Sequence, residues 1–487
     1  MSAKNVNKNM LLNMFKTILS IVFPLITYPY ATRVLGAVNF GKVSFAQSII
    51  SYIALIAALG ISNYAIREGG YYRSDNEKIK RFASEIFTFN LGSTVIAYVV
   101  LLALLIISSN LKLYTNVLII QSLSIIFVTV GVDWLNVIYE DYLYITIRSI
   151  VVHIITLGFL FLFVHTPDDY ILYAAISVIN NGAIAVANLF HVRKECKFAI
   201  RKPNIKRHIK PILVLFSNNL AVSIYTNADI TMTGWFFGDY YVGLYTIASR
   251  IYTILKQVIA AAYSVTVTRL TEYHNQGNVQ EFKLLLNQVI NNLILLCLPI
   301  TIGGFFTSDY IIRIIAGDEF VDAIVPLRVL LCTLPFAVIG GALAYCMNLP
   351  LRRENINLKC TSVSAIVNIA LNAILMPRLN ILGAAIATLL SEATVSIILF
   401  ISLRKWHNLL DFKNIGINTL KTILACVPIV PVYYTINALE TKMMIRFGLI
   451  VFLSAIAFTA VSIVLKNDAL IGFVEGFRSK KSKKEEM

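Results

Sequence analysis

Runs of about twenty mostly apolar residues recur fourteen times along the chain, separated by short breaks that carry Lys, Arg or Gly. A helix needs about 20 such residues to cross a hydrocarbon layer roughly 30 Å thick. Spans are therefore predicted near 10–31, 42–64, 83–107, 116–138, 143–164, 170–191, 211–235, 241–267, 286–306, 324–348, 359–377, 381–403, 416–437 and 444–465. At about 22 residues each they take about 308 of the 487 residues, leaving about 179 for loops and tails, or about 12 per connection. Connections that short hold no soluble catalytic domain. They exclude nucleic-acid enzymes, ATP-hydrolysing subunits and secreted disulfide scaffolds.

Composition agrees, with 57% apolar residues, 14% charged and a mean hydropathy of +0.74. The net charge of +16 is unevenly placed: 29 Lys and Arg fall on the side of the N-terminus, 7 on the other side and 6 within spans. The positive-inside rule then puts both termini in the cytoplasm of a plasma (inner) membrane. The charge reads as topology and contact with anionic lipid, with no nucleic-acid partner. The run RSKKSKKEEM at the C-terminus reads as a solvated tail beside the anionic leaflet. The first span follows Lys4 and Lys8 with no small-residue cleavage site after it, so it reads as a retained helix rather than a signal peptide. Cys297, Cys332, Cys346, Cys360 and Cys426 lie in apolar runs and are expected to be buried small hydrophobes, while Cys196 sits in a basic loop. No CxxC pair or His at ligand spacing supports a disulfide framework or a metal, and no cofactor is expected.

The sequence also repeats. Shifting Leu35–Ile49 by 202 aligns Gly36 with Gly238, Gly41 with Gly243, Ala46 with Ala248 and Ile49 with Ile251. Shifting Ile171–Ile176 by 210 aligns it with Ile381–Ile386. Two nearly equal shifts at the two ends of a six-span block predict a duplication, and because six is even the halves are parallel repeats about an axis along the membrane normal. The predicted organisation is an N-lobe over 1–205, a C-lobe over 206–405, and spans 13 and 14 with the basic tail over 406–487. Gly36, Gly41 and Lys42 also spell the start of a phosphate-binding loop. Val43 replaces the hydroxyl residue, no strand precedes it, and the spacing recurs at Gly238 and Gly243 without lysine, so a tight interhelical turn is expected instead.

Ionisable residues at bilayer depth are functional candidates by default. The cations are Lys16, Arg148, Arg250, Lys256, Arg328 and Lys421, and the anions are Glu85, Asp133, Asp229 and Glu392. A cationic excess suits an anionic substrate group such as a phosphate, and the acids are candidates for ion coupling or cavity lining. Bland readings stand beside these. Lys16, Lys256 and Lys421 are placed to snorkel and Arg148 to reach headgroups, Arg250 and Asp229 to pair, and Glu85 and Arg328 to lie at an interface. Polar stripes at helical spacing mark four spans: Asn219, Ser223, Thr226, Asp229 and Thr233; Thr246, Arg250, Thr253, Gln257 and Ser264; Ser177, Asn181 and Asn188; and Thr361, Ser364, Asn368 and Asn372. Each stripe either lines a cavity or joins helices by hydrogen bonds. His153 reads as a packed or hydrogen-bonded core residue.

The first hairpin carries a resemblance: Tyr28-Pro29-Tyr30, Arg33-Val34-Leu35-Gly36, Asn39-Phe40-Gly41, then Leu59-Gly60-Ile61 and Tyr64-Ala65-Ile66-Arg67-Glu68. With Ala316-Gly317-Asp318-Glu319-Phe320 and Gly383-Ala384-Ala385, the chain resembles the Wzx-type O-antigen flippases of the multidrug/oligosaccharidyl-lipid/polysaccharide exporter superfamily. The resemblance implies an all-α polytopic membrane protein of about 14 transmembrane helices, two six-helix lobes around a basic cavity plus two extra C-terminal helices. It implies a transporter rather than an enzyme, moving an undecaprenyl-diphosphate-linked oligosaccharide for lipopolysaccharide or a similar polymer. The implied partners are that lipid-linked oligosaccharide, membrane lipids, and a polysaccharide polymerase with its chain-length regulator. The family offers no catalytic motif to transfer residue by residue. Two alternatives are a multidrug exporter of the same superfamily, which would need an acidic cavity, and a membrane-embedded polymerase or ligase, which would need a large external loop.

Overall fold

The computed structural model describes residues 6–194, 196, 205–264 and 266–472. Lys4 and the tail at 478–487 lie outside the described residues, as do the side chains of Lys8 and Ser264. Among the described residues, thirteen helical stretches are long and apolar enough to cross a membrane. The first, Phe15–Tyr72, is 58 residues long and holds two crossings, because α1 (Val6–Ala58) breaks at Gly36, with φ 70° and ψ 174°. Fourteen crossings result, as the apolar pattern predicts. Glycine adopts this left-handed φ without the clash a Cβ would bring.

Two compact units divide the chain. The unit Met1–Thr246 contains α1, α2 (Ile61–Gly69), α3 (Asn76–Ile107), α4 (Thr115–Val130), α5 (Asp133–Ile138), α6 (Tyr142–Phe163), α7 (Tyr170–Arg193), α8 (Ile205–Phe237) and the start of α9 (Asp239–Ser264). The unit Ile247–Met487 contains the rest of α9, α10 (Val267–Asn275), α11 (Val279–Ile315), α12 (Ile324–Ala342), α13 (Glu354–Leu379), α14 (Ile381–Ser402), α15 (Phe412–Cys426), α16 (Ile429–Asn437) and α17 (Met443–Val464).

Helix ends outside the apolar layer are capped by side chains. Asp75 accepts from the backbone N–H groups of Lys78 at 3.1 Å and Glu77 at 3.2 Å, and these donors, Lys78 first, hold its carboxyl below the usual range. Asn278 caps α11 and Asp411 caps α15 in the same way. Within the layer, the outward faces are apolar: Val95, Ile96, Val99 and Leu102 on α3, and Val451, Phe452 and Ile456 on α17, are exposed. Such faces are stable only against lipid.

Polar side chains instead point inward and close gaps in the backbone pattern. The break between α4 and α5, where Val132 takes φ 36°, frees the Gly131 carbonyl; Asn188 donates to it and accepts from Asn136. Ser364 on α13 donates to the Ser391 carbonyl on α14 at 3.0 Å, and Ser396 on α14 donates to the Phe336 carbonyl on α12 at 2.6 Å. In the stripe, Ser364, Asn368 and Asn372 are fully buried; Ser364 joins α13 to α14, whereas Asn372 donates to Asn368 within α13 at 3.2 Å. Cys297, Cys346, Cys360 and Cys426 are buried as expected. Cys332 is only half-buried, and Cys196, from the basic loop, is buried in a core cluster with Ile79, Phe82, Trp134 and Ile212.

The aligned glycines occupy matching roles. Gly36 and Gly238 both have positive φ, 70° and 81°, and turn the chain between consecutive spans. Gly41 and Gly243 do not turn it; they let two helices touch. A Cβ on Gly41 would fall on the Asp239 carbonyl oxygen, and one on Gly243 on the Ala37 carbonyl oxygen. Residues 37 and 41 become 239 and 243 on the 202-residue shift, so this is one contact made twice, i to j and j to i, as a two-fold relation requires. Because the opposing atoms are backbone, no rotamer change makes room. Gly41→Ala and Gly243→Ala are each expected to destabilise the detergent-solubilised protein by about 1–3 kcal/mol, read as a lower unfolding temperature. Gly92→Ala on α3, where the added methyl meets open space, should not lower it.

Candidate functional site

Most of the intramembrane charges find partners within their own unit. In the first, Arg148 on α6 has a side chain only 4% exposed, with Nη1 3.0 Å from Asp133 Oδ1 at the start of α5 and the guanidinium 5.3 Å from the Tyr144 ring. Glu85 on α3 accepts from Arg81 Nε at 3.1 Å and lies 3.2 Å from His208 Nε2, whose Nδ1 is 2.7 Å from the Tyr64 hydroxyl. His208 is fully buried. Sequence reasoning placed it in a basic loop, and a single His just before an apolar run gave no signal that it would be enclosed. Asp229 on α8 accepts from the Tyr245 hydroxyl at 2.5 Å, and Thr231 donates to Ser48 on α1 at 2.9 Å.

In the second unit Lys256 on α9 donates to Glu392 on α14 at 2.5 Å, and the Tyr252 hydroxyl reaches the same oxygen at 3.3 Å. Arg328 on α12 donates from Nε to Ser308 at 2.8 Å and stands over Phe305. Lys421 on α15 donates to the Lys466 carbonyl at 2.7 Å, just past the end of α17. Two cations remain. Half-buried Lys16 on α1 and exposed Arg250 on α9 have no ion pair or hydrogen bond among the described residues. His153 is packed against Phe23 and 3.1 Å from Asn180 Oδ1, in keeping with a core role. Lys42 stands over the Tyr170 ring rather than over a phosphate cradle.

The second unit also carries a long apolar groove that periodicity could not reveal. Two adjoining cavities of about 660 and 420 Å³ share Pro299, Ile300 and Phe458. One wall is α11 from Leu285 to Ile311 and the other is α17 around Phe447 and Phe458. At 1.5 Å per residue that stretch of α11 rises about 39 Å. Among the described residues lining the groove, Arg269 is the charged one and none is a carboxylate.

Comparison with known proteins supplies the family. The family described as "Polysaccharide biosynthesis protein" matches residues 6–274, more than half of the chain. The chain belongs to that family. The polysaccharide biosynthesis protein match bears out the resemblance carried by the first hairpin, and a second family, described as MatE, matches residues 215–382. A putative O-antigen transporter of Escherichia coli (strain K12) is 24% identical over 338 residues, 65% of this chain and 77% of that protein. A probable low-salt glycan biosynthesis flippase of Haloferax volcanii is 27% identical over 36% of this chain and 37% of its own length. Among solved structures, the lipid II flippase MurJ in an inward closed conformation superposes with a TM-score of 0.72 at 17% identity, covering 94% of this chain and 99% of that one. An inward-facing multidrug-resistance transporter of the same superfamily gives 0.57 at 16% identity, covering 81% and 97%. This polysaccharide biosynthesis protein therefore has the all-helical fold of that superfamily.

The Lys256–Glu392 pair makes a test of the charge accounting. Removing one partner of a poorly hydrated pair strands the other, whereas removing both does not. Because Lys256 is about one-third exposed, the expected cost of Lys256→Met or Glu392→Leu alone is about 2 kcal/mol. The double variant should recover most of that loss in unfolding temperature.

Proposed function

We propose that the chain is a flippase that carries a lipid-linked oligosaccharide from the cytoplasmic to the outer leaflet of a bacterial plasma membrane by alternating access. The observation that supports this most directly is the apolar groove. It runs about 39 Å along α11, more than the roughly 30 Å of hydrocarbon, so it accommodates an extended isoprenoid chain. A compact drug cation needs no such length, and the charged residue among the described lining is the cation Arg269, which does not favour a cationic drug. The short connections oppose a polymerase or ligase.

On this reading the substrate is an undecaprenyl diphosphate bearing an O-antigen-like repeat unit. The chain stays in hydrocarbon while the charged head crosses between the lobes at 1–205 and 206–405, with spans 13 and 14 over 406–487 supplying the groove wall opposite α11. Lys16 and Arg250 are the first candidates for the diphosphate, because their donors are not already used. Arg148, Lys256, Arg328 and Lys421 become available only if their present partners release them. Among the acids, Glu85, Asp133 and Glu392 lie against cations, and Asp229, bonded to a tyrosine hydroxyl, is the first candidate for ion coupling. The reciprocal contact of 37–41 with 239–243 joins the two repeats on the side away from the termini, so opening to that side must break it.

In a strain lacking the wild-type gene, Lys16→Ala with Arg250→Ala is expected to lower long-chain surface polysaccharide about tenfold or more, two charge-assisted contacts being removed. Lipid-linked repeat units should accumulate inside. Gly303→Phe, which puts a ring into open space in the groove, should have the same effect. Normal polysaccharide from both variants at normal protein levels overturns the reading.

A further inference from the structure

A third cavity, of about 620 Å³, adjoins the groove where α11 begins. It lies on the side of the membrane that carries the Lys- and Arg-rich loops, between the first turns of α11, the start of α15 and the segment after α17. Its chemistry is unlike that of the groove. Asn287, Gln288, Asn291, Asn292 and Asn414 are among the residues that line it. Its charged lining residues are Lys283, Asp411 and Asp468, a net charge of −1 that disfavours phosphate.

The amides are held in a fixed order. The Asp468 carboxylate only accepts, so Asn414 gives it Nδ2 at 3.1 Å and turns Oδ1 to the Nδ2 groups of Asn291 at 2.8 Å and Asn418 at 2.9 Å. Asn291 thereby uses its donor, and its Oδ1 is left buried with no partner, on a residue only 7% exposed. Asn287 is fixed from both ends, donating to the Leu409 carbonyl and accepting from the Asp411 N–H, each at 2.8 Å. A rigid wall of amides with one unmet acceptor asks for a ligand donor, and leaving that oxygen unmet is costly. Hydroxyl groups, which donate and accept at once, answer paired amides best.

The cavity is also continuous with the groove, since Gln288 and Asn292 line both, and Arg269 and Thr266 stand at the groove's near end. The α11 amides Gln288 and Asn292 thus share the groove lining with the guanidinium of Arg269 on α10, and from Leu293 to Ile300 the α11 lining is hydrocarbon. Amide, guanidinium and hydrocarbon are the chemistries that suit the sugar, phosphate and isoprenoid chain of a lipid-linked glycan. We infer that this cavity is the loading site for the sugar head of the substrate, with phosphate at Arg269 before it passes to Lys16 and Arg250 for the crossing, and the chain in the groove, a proposal that rests on the flippase reading above.

The test uses the full-length protein in nanodiscs and two probes, a polyprenyl diphosphate monosaccharide and the same polyprenyl diphosphate without sugar, with binding read by native mass spectrometry. The wild type should bind the sugar-bearing probe more tightly. Gln288→Ala with Asn292→Ala, both at positions open to the cavity, should weaken it about tenfold and leave the sugar-free probe unchanged; Asn291→Leu should do the same wherever it folds. Equal binding of both probes by the wild type, or equal loss of both in the double variant, overturns the sugar site while leaving a lipid flippase standing. Displacement of the sugar-bearing probe by phosphatidylglycerol at equal concentration also overturns it, by making the cavity a site for bilayer lipid. Failure of the wild type to bind either probe overturns the flippase reading itself, and the loading site with it.

Discussion

A charge or amide taken into hydrocarbon without a partner costs several kcal/mol, and nearly every internal feature of this protein answers that cost. Arg148 meets Asp133, Glu85 meets Arg81 and His208, and Lys256 meets Glu392. Backbone groups obey the same rule, so the carbonyl freed at Gly131 is taken by Asn188. Lys16 and Arg250, without an ion pair or hydrogen bond among the described residues, and the unmet Asn291 oxygen of the amide cavity therefore carry much of the functional argument.

The second organising element is the doubled glycine contact. Helices in lipid gain little by hiding apolar side chains, since lipid is equally apolar, and associate instead by close packing of backbones. Gly41 against Asp239 and Gly243 against Ala37 bring backbone to backbone. A contact of this kind has little tolerance: it is either fully formed or absent, as the proposed alternating access would need.

Much of the fold was legible in the sequence. Fourteen apolar runs gave fourteen crossings, and the 202-residue shift paired the left-handed glycines Gly36 and Gly238, whereas Gly41 and Gly243, expected in the same turn, instead pack backbone on backbone. Charges were legible as a set but not as pairs. That Lys421 reaches back to the Lys466 carbonyl, or that Glu85 meets His208, depends on how helices distant in sequence are brought together, which no periodicity records. The groove was invisible for a related reason: its walls are ordinary leucine, isoleucine and phenylalanine, identical in composition to lipid-facing surface. The amide cavity left a trace, Asn287, Gln288, Asn291 and Asn292 at the head of an apolar span. It became informative only once α15 and the segment after α17 supplied Asn414 and Asp468.

On the proposed flippase reading, the groove's placement has a consequence for how the protein would meet its ligand. A chain lying in a furrow that spans the whole hydrocarbon thickness is never transferred into water, so its contribution to the crossing free energy is nearly the same at every stage. The work of a cycle is then set by the head alone, and lengthening the hydrocarbon beyond what the furrow holds adds nothing to the barrier. Ligand would also arrive by lateral diffusion within the bilayer rather than from bulk solution. Encounter is governed by surface density, and a ligand rare in the cell is still met often because it is confined to two dimensions.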